Sequence, residues 1–311
     1  MTEVPRLPAA ADLLPAFVAR QIGALAQVVL ADAAGPAFDF ARPRGEPALT
    51  APDSVHWRVF KNPVSLYIGG VAAVILELAE PRVRTGVWEH SSFRAQPVRR
   101  MQRTGLAAMI SVYGPRSAAE AMIARVVQQH ETVRGTTPGG EPYAANDPEL
   151  LLWVQATTGY GFGDAYSRYV RPLTGVQLDS LYAESEPAAR LYGIEDPPRS
   201  RAGLDAVLHA MKDRLEPSAI LDEFLQIMRT APAVPRALRP LQAMFVRAAI
   251  EMTPGWARER LRLGPELGLR LGEEALIRQL GAAADRISLP SSPAVRACLR
   301  LGLPADWLYR R

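Results

Sequence analysis

The sequence contains little cysteine, histidine and lysine, and these shortages limit the sites that it can build. Cys298 is the only cysteine among the 311 residues, which excludes an internal disulfide and any multi-cysteine zinc or iron–sulfur site. The four histidines are His56, His90, His130 and His209, and no two have the HExxH spacing of zinc hydrolases. A multi-histidine zinc or copper site is therefore poorly supplied, whereas a haem, which one histidine can hold, is not excluded.

Lysine occurs only at Lys61 and Lys212, so nearly all of the 36 basic residues are arginine. The net charge is +4 and the pI about 9.4, but the positive charge is scattered. No run of arginines alternates with aromatic residues, so nucleic-acid binding has little support. The 48% hydrophobic and 22% charged content are those of a folded globular protein, and a chain of 311 residues can bury a large core.

The sequence has neither a signal-peptide pattern nor a long membrane-spanning run. The N-terminus, MTEVPRLPAAADLL, lacks the basic and apolar regions of a signal peptide. The longest apolar run, VSLYIGGVAAVILELA over residues 64–79, is short for a membrane span and contains Glu77. Because Asn62-Pro63 precedes this run and Pro81 follows it, we predict a buried core helix. We expect no transmembrane segment and a cytoplasmic location.

Proline and glycine divide the chain into predicted helices. Residues 1–53 are predicted to form an amphipathic helix over 9–31 and a Pro/Gly/Ala-rich loop, and residues 54–311 a single all-α domain. No run of alternating strand residues and no internal repeat stands out. Beyond the central pair described next, further helices are predicted over 83–93, 149–170 (interrupted by its glycines), 176–193, 200–213, 217–229, 237–251, 255–262, 266–285 and 293–302.

Two central helices are predicted between Pro97 and Gly135, separated by the turn Tyr113-Gly114-Pro115-Arg116. Proline is favoured in the first turn of a helix, and Pro97 opens the first one. Ser117 followed three residues later by Glu120 has the pattern of a capping box at the start of the second helix. Glycine commonly follows the last turn of a helix, so the second helix is predicted to end at Gly135.

One face of each central helix carries polar residues beside an apolar stripe. On the first helix, Arg100, Arg103 and Thr104 share a face because they are three and four residues apart. On the second, His130 falls on the same side as Val127 and other apolar residues. Two interpretations are open. In one, His130 hydrogen-bonds a carbonyl in an ordinary core and the arginines are rim charges; in the other, His130 ligates a metal or haem iron, and the Arg/Thr face supplies polar groups on the opposite side.

Several sequence blocks, taken in order, carry a resemblance to a known superfamily. They are LYIGGVAAVILELAEPRVRTGVWEHSSFRAQPVRRMQRT, VVQQHETVRG and GGEPYAANDPELLLWVQAT, with weaker similarity continuing to LPADWLYRR. The ordered set resembles latex clearing protein (rubber oxygenase) and the MpaB-type oxygenases. The resemblance implies that residues 54–311 form a globin-like helical core, with additional helices, around a b-type haem. It also implies cleavage of isoprenoid carbon–carbon double bonds with dioxygen.

The resemblance also implies roles for individual residues. His130 matches the family's proximal haem histidine in an HxxVxG pattern, and Arg100, Arg103 and Thr104 match its distal arginine, basic residue and threonine. Arg100 can hold an oxygen species or a haem propionate with two hydrogen bonds, and Thr104 can donate one more. Arg103 matches a position that a lysine occupies in the rubber-cleaving members. Because arginine stays protonated and rarely ligates iron, we assign it to propionates or to shaping the site. His90 is interpreted as a structural hydrogen-bond donor.

A departure from the family pattern suggests a candidate base. Many members read LAHP where this chain reads Leu78-Ala79-Glu80-Pro81. Glu80 could remove an allylic proton from the substrate, a role that needs a carboxylate near the distal pocket. Alternatively, it is solvated, or paired with Arg82 or Arg84 at the end of the buried helix. Glu77, one turn earlier, has the same two interpretations.

Three functions are compatible with the sequence. The favoured one is a haem-b oxygenase that acts with dioxygen on an apolar, isoprenoid- or terpenoid-like substrate. The second is a haem-dependent oxidase or peroxygenase-like enzyme that oxidises its substrate without cleaving it. The third is a non-catalytic helical protein that binds haem or a lipid. Without a secretion signal, polyisoprene itself is a poor candidate substrate.

Overall fold

Two long helices cross at the centre of the fold. In a computed structural model, which describes residues 38–234 and 236–310, α2 (Pro63–Ala79) packs along α6 (Pro148–Tyr169). The side chain of Asn62 caps α2 by accepting hydrogen bonds from two backbone N–H groups in its first turn. Because α2 is apolar on nearly all sides, it is buried almost completely, and the predicted core helix over 64–79 is confirmed.

Glycines allow the two central helices to approach each other closely. A Cβ atom at Gly69 would overlap the carbonyl oxygen of Gly161, and one at Gly161 would overlap the carbonyl oxygen of Gly69. The glycines of α6 were predicted to interrupt it, but the helix is continuous from Pro148 to Tyr169. Close backbone packing against α2 stabilises α6 despite the weak helix propensity of glycine.

The other helices surround this pair, and the predicted all-α fold is confirmed. Helices α10, α11 and α13 pack on α2, and α9 packs on α6. The globin-like arrangement of the core stays a prediction, and the helix predicted over 9–31 lies outside the described residues. The surrounding helices are α1 (Val55–Phe60), α3 (Pro81–His90), α4 (Pro97–Tyr113), α5 (Arg116–His130), α7 (Gly175–Glu184), α8 (Glu186–Leu191), α9 (Arg201–Ala210), α10 (Ala219–Thr230), α11 (Arg239–Met252), α12 (Gly255–Arg260), α13 (Glu273–Ala284) and α14 (Pro293–Arg300). Short 3-10 turns lie at Lys212–Arg214, Arg236–Leu238, Pro265–Leu267 and Trp307–Tyr309.

A short β-hairpin follows α5, which the sequence did not predict. Strand β1 (Arg134–Thr136) pairs antiparallel with β2 (Pro142–Ala144), and Gly135 lies opposite Tyr143. A Cβ atom at Gly135 would lie 2.7 Å from the Tyr143 hydroxyl oxygen. Gly135 is therefore a strand residue that makes room for the tyrosine, and not the end of a helix. Strands of three residues are too short to show a strand periodicity.

The start of α5 also differs from the prediction. The helix begins at Arg116, and Pro115 occupies the N-cap position without a side-chain cap. The predicted capping box of Ser117 and Glu120 is therefore wrong. The backbone N–H of Ser117 instead donates to the carboxylate of Glu46, at 2.7 Å. A tertiary contact thus satisfies a donor that the sequence assigned to a local cap.

Within the described part of the chain, no single helix is long and apolar enough to cross a membrane. Helices α2 and α3 together reach that length and composition, but only as a pair bent by 108° at the break between them.

Candidate functional site

Helices α4 and α5 are packed at one end and only partly covered at the other. Near their connecting turn, the buried side chains are Met109, Ile110, Val112 and Tyr113 of α4, and Ala119, Met122 and Ile123 of α5. At the opposite end, Met101, Val126 and Val127 are only partly buried. We call this second region, the first half of α4 and the last half of α5, the open end. Its apolar faces are incompletely covered in the part of the chain that the structure describes.

The central helix α2 presents one less-buried face. Gly70, Val74 and Glu77 are the residues of α2 that are not fully buried, and they lie four and three residues apart. They therefore occupy one side of the helix. Helices α4 and α5 pack on each other and on α1, α14 and α8. The charges of Glu77 on this side of α2 and of Arg100 on α4 act on each other.

Arg100 and Thr104 form one polar unit on the first half of α4. The Arg100 guanidinium donates to the Thr104 hydroxyl, which in turn donates to the Arg100 carbonyl oxygen at 3.0 Å. Arg100 is half-buried, whereas Thr104 and Arg103 are exposed. Burial lowers the pKa of Arg100, and the nearby charge of Arg103 lowers it further. Among the described residues, neither arginine forms a salt bridge, and the opposite charge that acts on Arg100 is that of Glu77.

His130 is the last residue of α5, at the open end. Its side chain is half-buried, and its Nδ1 atom is buried without a hydrogen-bond partner. Burial lowers the pKa of His130; the Asn146 side chain opposes this shift, and the charge of Arg100 adds to it. The imidazole is therefore neutral near pH 7. No backbone carbonyl accepts a hydrogen bond from Nδ1, which the interpretation of His130 as an ordinary core residue had required.

Glu77 extends the site from α2. Its carboxylate accepts a hydrogen bond from the Thr157 hydroxyl at 3.5 Å, and within the described ranges it forms no salt bridge. Burial raises the pKa of Glu77 to about 7, against the opposing effects of Arg100 and Thr157. Because Arg100 influences both Glu77 and His130, these three side chains share one electrostatic environment. A carboxyl group with this pKa can both donate and accept a proton at neutral pH.

Glu80 lies outside this environment, in a buried network of ion pairs. It is 0% exposed and caps α3 by accepting the Val83 backbone N–H at 2.8 Å. Its carboxylate pairs with Arg82 at 2.7 Å and with Arg214 at 3.3 Å. Arg84, the other predicted partner, pairs with Glu216. The structure therefore favours the paired, structural interpretation of Glu80 over its assignment as a general base.

His90 is held against the hairpin. It is exposed, and its Nε2 atom lies 3.1 Å from the Tyr143 hydroxyl, which donates to the Glu89 carboxylate at 3.1 Å. This agrees with the structural hydrogen-bonding role predicted for His90. In residues 38–234 and 236–310, no three His, Cys, Asp or Glu side chains lie close enough together to hold a metal ion. A metal whose remaining ligands come from a prosthetic group needs only one protein donor.

Asn146 is the site residue that sequence reasoning missed. Its Nδ2 atom donates to the carbonyl oxygen of Val127 in α5 at 3.1 Å, while its Oδ1 atom is buried without a partner. The hairpin brings this residue back to the end of α5. The available signal was its place in the block Ala145-Asn146-Asp147-Pro148, but the hairpin that gives this block its position was not predicted.

The chain matches a protein-family model over residues 57–286, which are well over half of its length. The family is described as ER-bound oxygenase mpaB/B'/rubber oxygenase, catalytic domain. The matched stretch contains Glu77, Arg100, His130 and Asn146. Neither a curated protein nor a solved structure matches the chain significantly. The resemblance stated from the sequence is confirmed: the chain belongs to the mpaB/rubber oxygenase catalytic-domain family, a family of oxygenases.

Proposed function

We propose that the protein is a haem-b-dependent oxygenase that uses dioxygen on an apolar, isoprenoid- or terpenoid-like substrate. The observation that carries this proposal is the position of His130. A neutral, half-buried imidazole lies at the end of incompletely covered apolar helix faces, in the electrostatic environment of an arginine that forms no salt bridge among the described residues. Membership of an oxygenase family supports the reaction class.

The chemistry of these residues fits a haem. The partly buried Met101, Val126 and Val127 suit a flat apolar ring, and the unpaired arginines suit its two propionates. His130 supplies the single axial nitrogen that such a group requires. When bound, the haem supplies an iron that reacts with dioxygen, chemistry that no protein side chain provides.

His130 is suited to be an iron ligand because it stays neutral. A protonated imidazole has both nitrogens occupied by hydrogen and offers no lone pair. Burial and the charge of Arg100 both lower the pKa of His130. The same environment therefore keeps one ring nitrogen available at physiological pH.

Arg100 is the proposed distal donor. Its hydrogen bond to Thr104, one turn along α4, orients the guanidinium before any substrate arrives. Because Arg100 is half-buried and has no salt bridge among the described residues, its charge is weakly compensated. A fixed cation in such surroundings stabilises negative charge that develops during reduction of dioxygen. Arg103, which is exposed, is assigned to a propionate or to the rim of the site.

Glu77 is better suited than Glu80 to the role of proton acceptor. Removal of an allylic proton needs a carboxylate in the site whose pKa is near the working pH. Burial raises the pKa of Glu77 to about 7, whereas Glu80 is occupied by Arg82, Arg214 and a backbone N–H. The charge of Arg100 favours the ionised form of Glu77, which is the form that accepts a proton.

Oxygen consumption by the haem-reconstituted protein tests the proposal. The protein is reduced without air and then exposed to air, with and without a panel of apolar olefins. We expect dioxygen to be consumed faster with an isoprenoid or terpenoid olefin, and carbonyl products to form. Oxidised products with an intact carbon chain would instead identify the non-cleaving oxidase or peroxygenase-like enzyme. A six-coordinate spectrum that admits neither carbon monoxide nor dioxygen would contradict catalysis.

A further inference from the structure

The β-hairpin returns the chain to the end of α5 and places Asn146 against it. The backbone N–H of Ala145 donates to the Val133 carbonyl oxygen at 2.9 Å, which anchors the returning strand. One residue later, Asn146 Nδ2 donates to the Val127 carbonyl oxygen at 3.1 Å. Asp147 then caps α6 by accepting the first backbone N–H groups of that helix. The backbone on both sides of Asn146 is therefore held in place.

The contact with Val127 also orients the amide of Asn146. Since Nδ2 donates to Val127, the other end of the amide presents Oδ1, which can only accept hydrogen bonds. This Oδ1 atom is buried without a partner, and so is Nδ1 of His130, three residues after Val127. Asn146 lies close enough to His130 to raise the pKa of the histidine as a hydrogen-bond partner. The two atoms are a buried acceptor and a buried potential donor, and each lacks another partner.

We propose that Asn146 is a positioning residue for His130: its Oδ1 atom accepts the Nδ1 proton and holds the tautomer in which Nε2 carries the lone pair. The assignment of Nε2 as the iron-binding atom rests on the proposed function. The choice of tautomer is a property of the protein alone.

The chemistry of neutral imidazole explains why such a residue is needed. The ring has one N–H group, and the nitrogen that lacks the proton is the one able to ligate a metal. A hydrogen-bond acceptor at Nδ1 fixes the proton there, orients the ring and makes Nε2 more basic. Buried polar groups are rarely left unpaired in folded proteins, so pairing between these two atoms is favoured.

Nitrogen-15 NMR of the metal-free protein at pH 8, where the ring is neutral, tests the proposal without haem. We expect the wild-type protein to show the Nδ1–H tautomer of His130. Asn146→Ala should shift the ring toward the Nε2–H form. Asn146→Asp keeps the acceptor and loses the donor to Val127, and should retain the Nδ1–H form. A wild-type protein with the Nε2–H tautomer, or an Asn146→Ala variant with unchanged signals, would overturn the proposal.

Haem titration provides the second measurement. Loss of the group that orients a metal-ligating histidine costs roughly 10- to 100-fold in affinity. We expect a loss of this size for Asn146→Ala, with circular dichroism unchanged, and affinity near wild type for Asn146→Asp. Equal losses in both variants would assign the effect to the Val127 contact and overturn the positioning role. Absence of haem binding by the wild-type protein would overturn the proposed function, whereas the NMR measurement would still decide whether Asn146 orients His130.

Discussion

Glu77 and Glu80 lie three residues apart near the end of α2, but the charges around them are paired to very different extents. Glu80 accepts hydrogen bonds from Arg82 and Arg214, and Arg82 also pairs with Glu149 at 2.6 Å. Glu77 has a single hydroxyl partner and shares its surroundings with Arg100, a cation that lacks a salt bridge in the described residues. The charges around Glu80 are joined in ion pairs, whereas those around Glu77 form no salt bridge among the described residues.

Structural and functional charges in this fold differ in whether they are paired. Burying a charge is costly unless it is paired and hydrogen-bonded, and the network around Glu80 meets that condition. The charges around Glu77 do not meet it, and their pKa values are shifted as a result. An acid and a base with shifted pKa values that both lie in the field of one arginine make these residues a candidate functional site.

The largest effect on stability is expected from Glu80→Ala. The change removes the buried carboxylate and the cap of α3, and leaves Arg82 and Arg214 only their more exposed partners Glu149 and Glu141. The free energy of unfolding should therefore fall by about 3 kcal/mol. Urea denaturation measures this loss. Glu149→Ala is the matched control, because its side chain is 55% exposed and an exposed ion pair contributes only about 1 kcal/mol or less. Equal effects of the two substitutions would contradict the claim that the buried carboxylate of Glu80 holds this network together.

Arg100→Ala should change activity and leave stability nearly unaffected, since no salt bridge is lost. Removal of a preorganised charged donor lowers turnover by about 100- to 1000-fold. The initial rate of dioxygen uptake with an active olefin measures the effect. Arg99→Ala, on the same helix but exposed, should keep the wild-type rate. The distal role of Arg100 is wrong if its variant also oxygenates at that rate.

Glu77→Gln should stabilise the haem-free protein at alkaline pH. Since burial raises the pKa of Glu77 from 4.5 to about 7, the folded state binds more protons than the unfolded state between these values, and stability falls as the pH rises through them. Glutamine removes that loss. The variant should match the wild type below pH 4.5 and exceed it by about 3 kcal/mol above pH 7. Urea titrations at both ends of this range measure the difference, and a gap that does not change with pH would contradict the raised pKa.

The smallest effect is expected from Thr104→Val. The hydroxyl is exposed, so its loss should cost less than about 1 kcal/mol of stability. Turnover should fall only a few-fold, because the guanidinium of Arg100 remains but is less well oriented. Steady-state rates of Thr104→Val and Arg100→Ala with the same substrate compare the two. A loss as large as that of Arg100→Ala would give Thr104 a direct role in place of an orienting one.

The sequence predicts the helical architecture well where local signals agree. Asn62-Pro63 and Pro81 bound an apolar run that is long enough for one core helix, and α2 has those limits. Arg100 and Thr104 come together because i,i+4 spacing on a helix requires it. The resemblance of the sequence blocks to the family predicts that His130 and Arg100 share one site although they lie on different helices, and in the structure the charge of Arg100 acts on His130.

Features that depend on contacts distant in the chain were not predictable in the same way. The sequence allowed the same two interpretations for Glu80 and Glu77. Contacts with Arg82 and the Val83 N–H, and with Arg214, 134 residues later, distinguish Glu80 in the structure. The start of α5 depends on Glu46, and its end depends on a hairpin too short to have a period. The position of Asn146 follows from that hairpin, so it could not be inferred from helix patterns.

The binding of haem through His130 is the central claim, and haem titration of His130→Ala tests it most directly. The haem-free wild-type protein should bind one haem per chain and develop a Soret band with the signature of histidine ligation. His130→Ala should lose this band while keeping its helical circular dichroism, and His90→Ala should retain it. A His130→Ala protein with full haem content and the same axial signature would contradict the assignment.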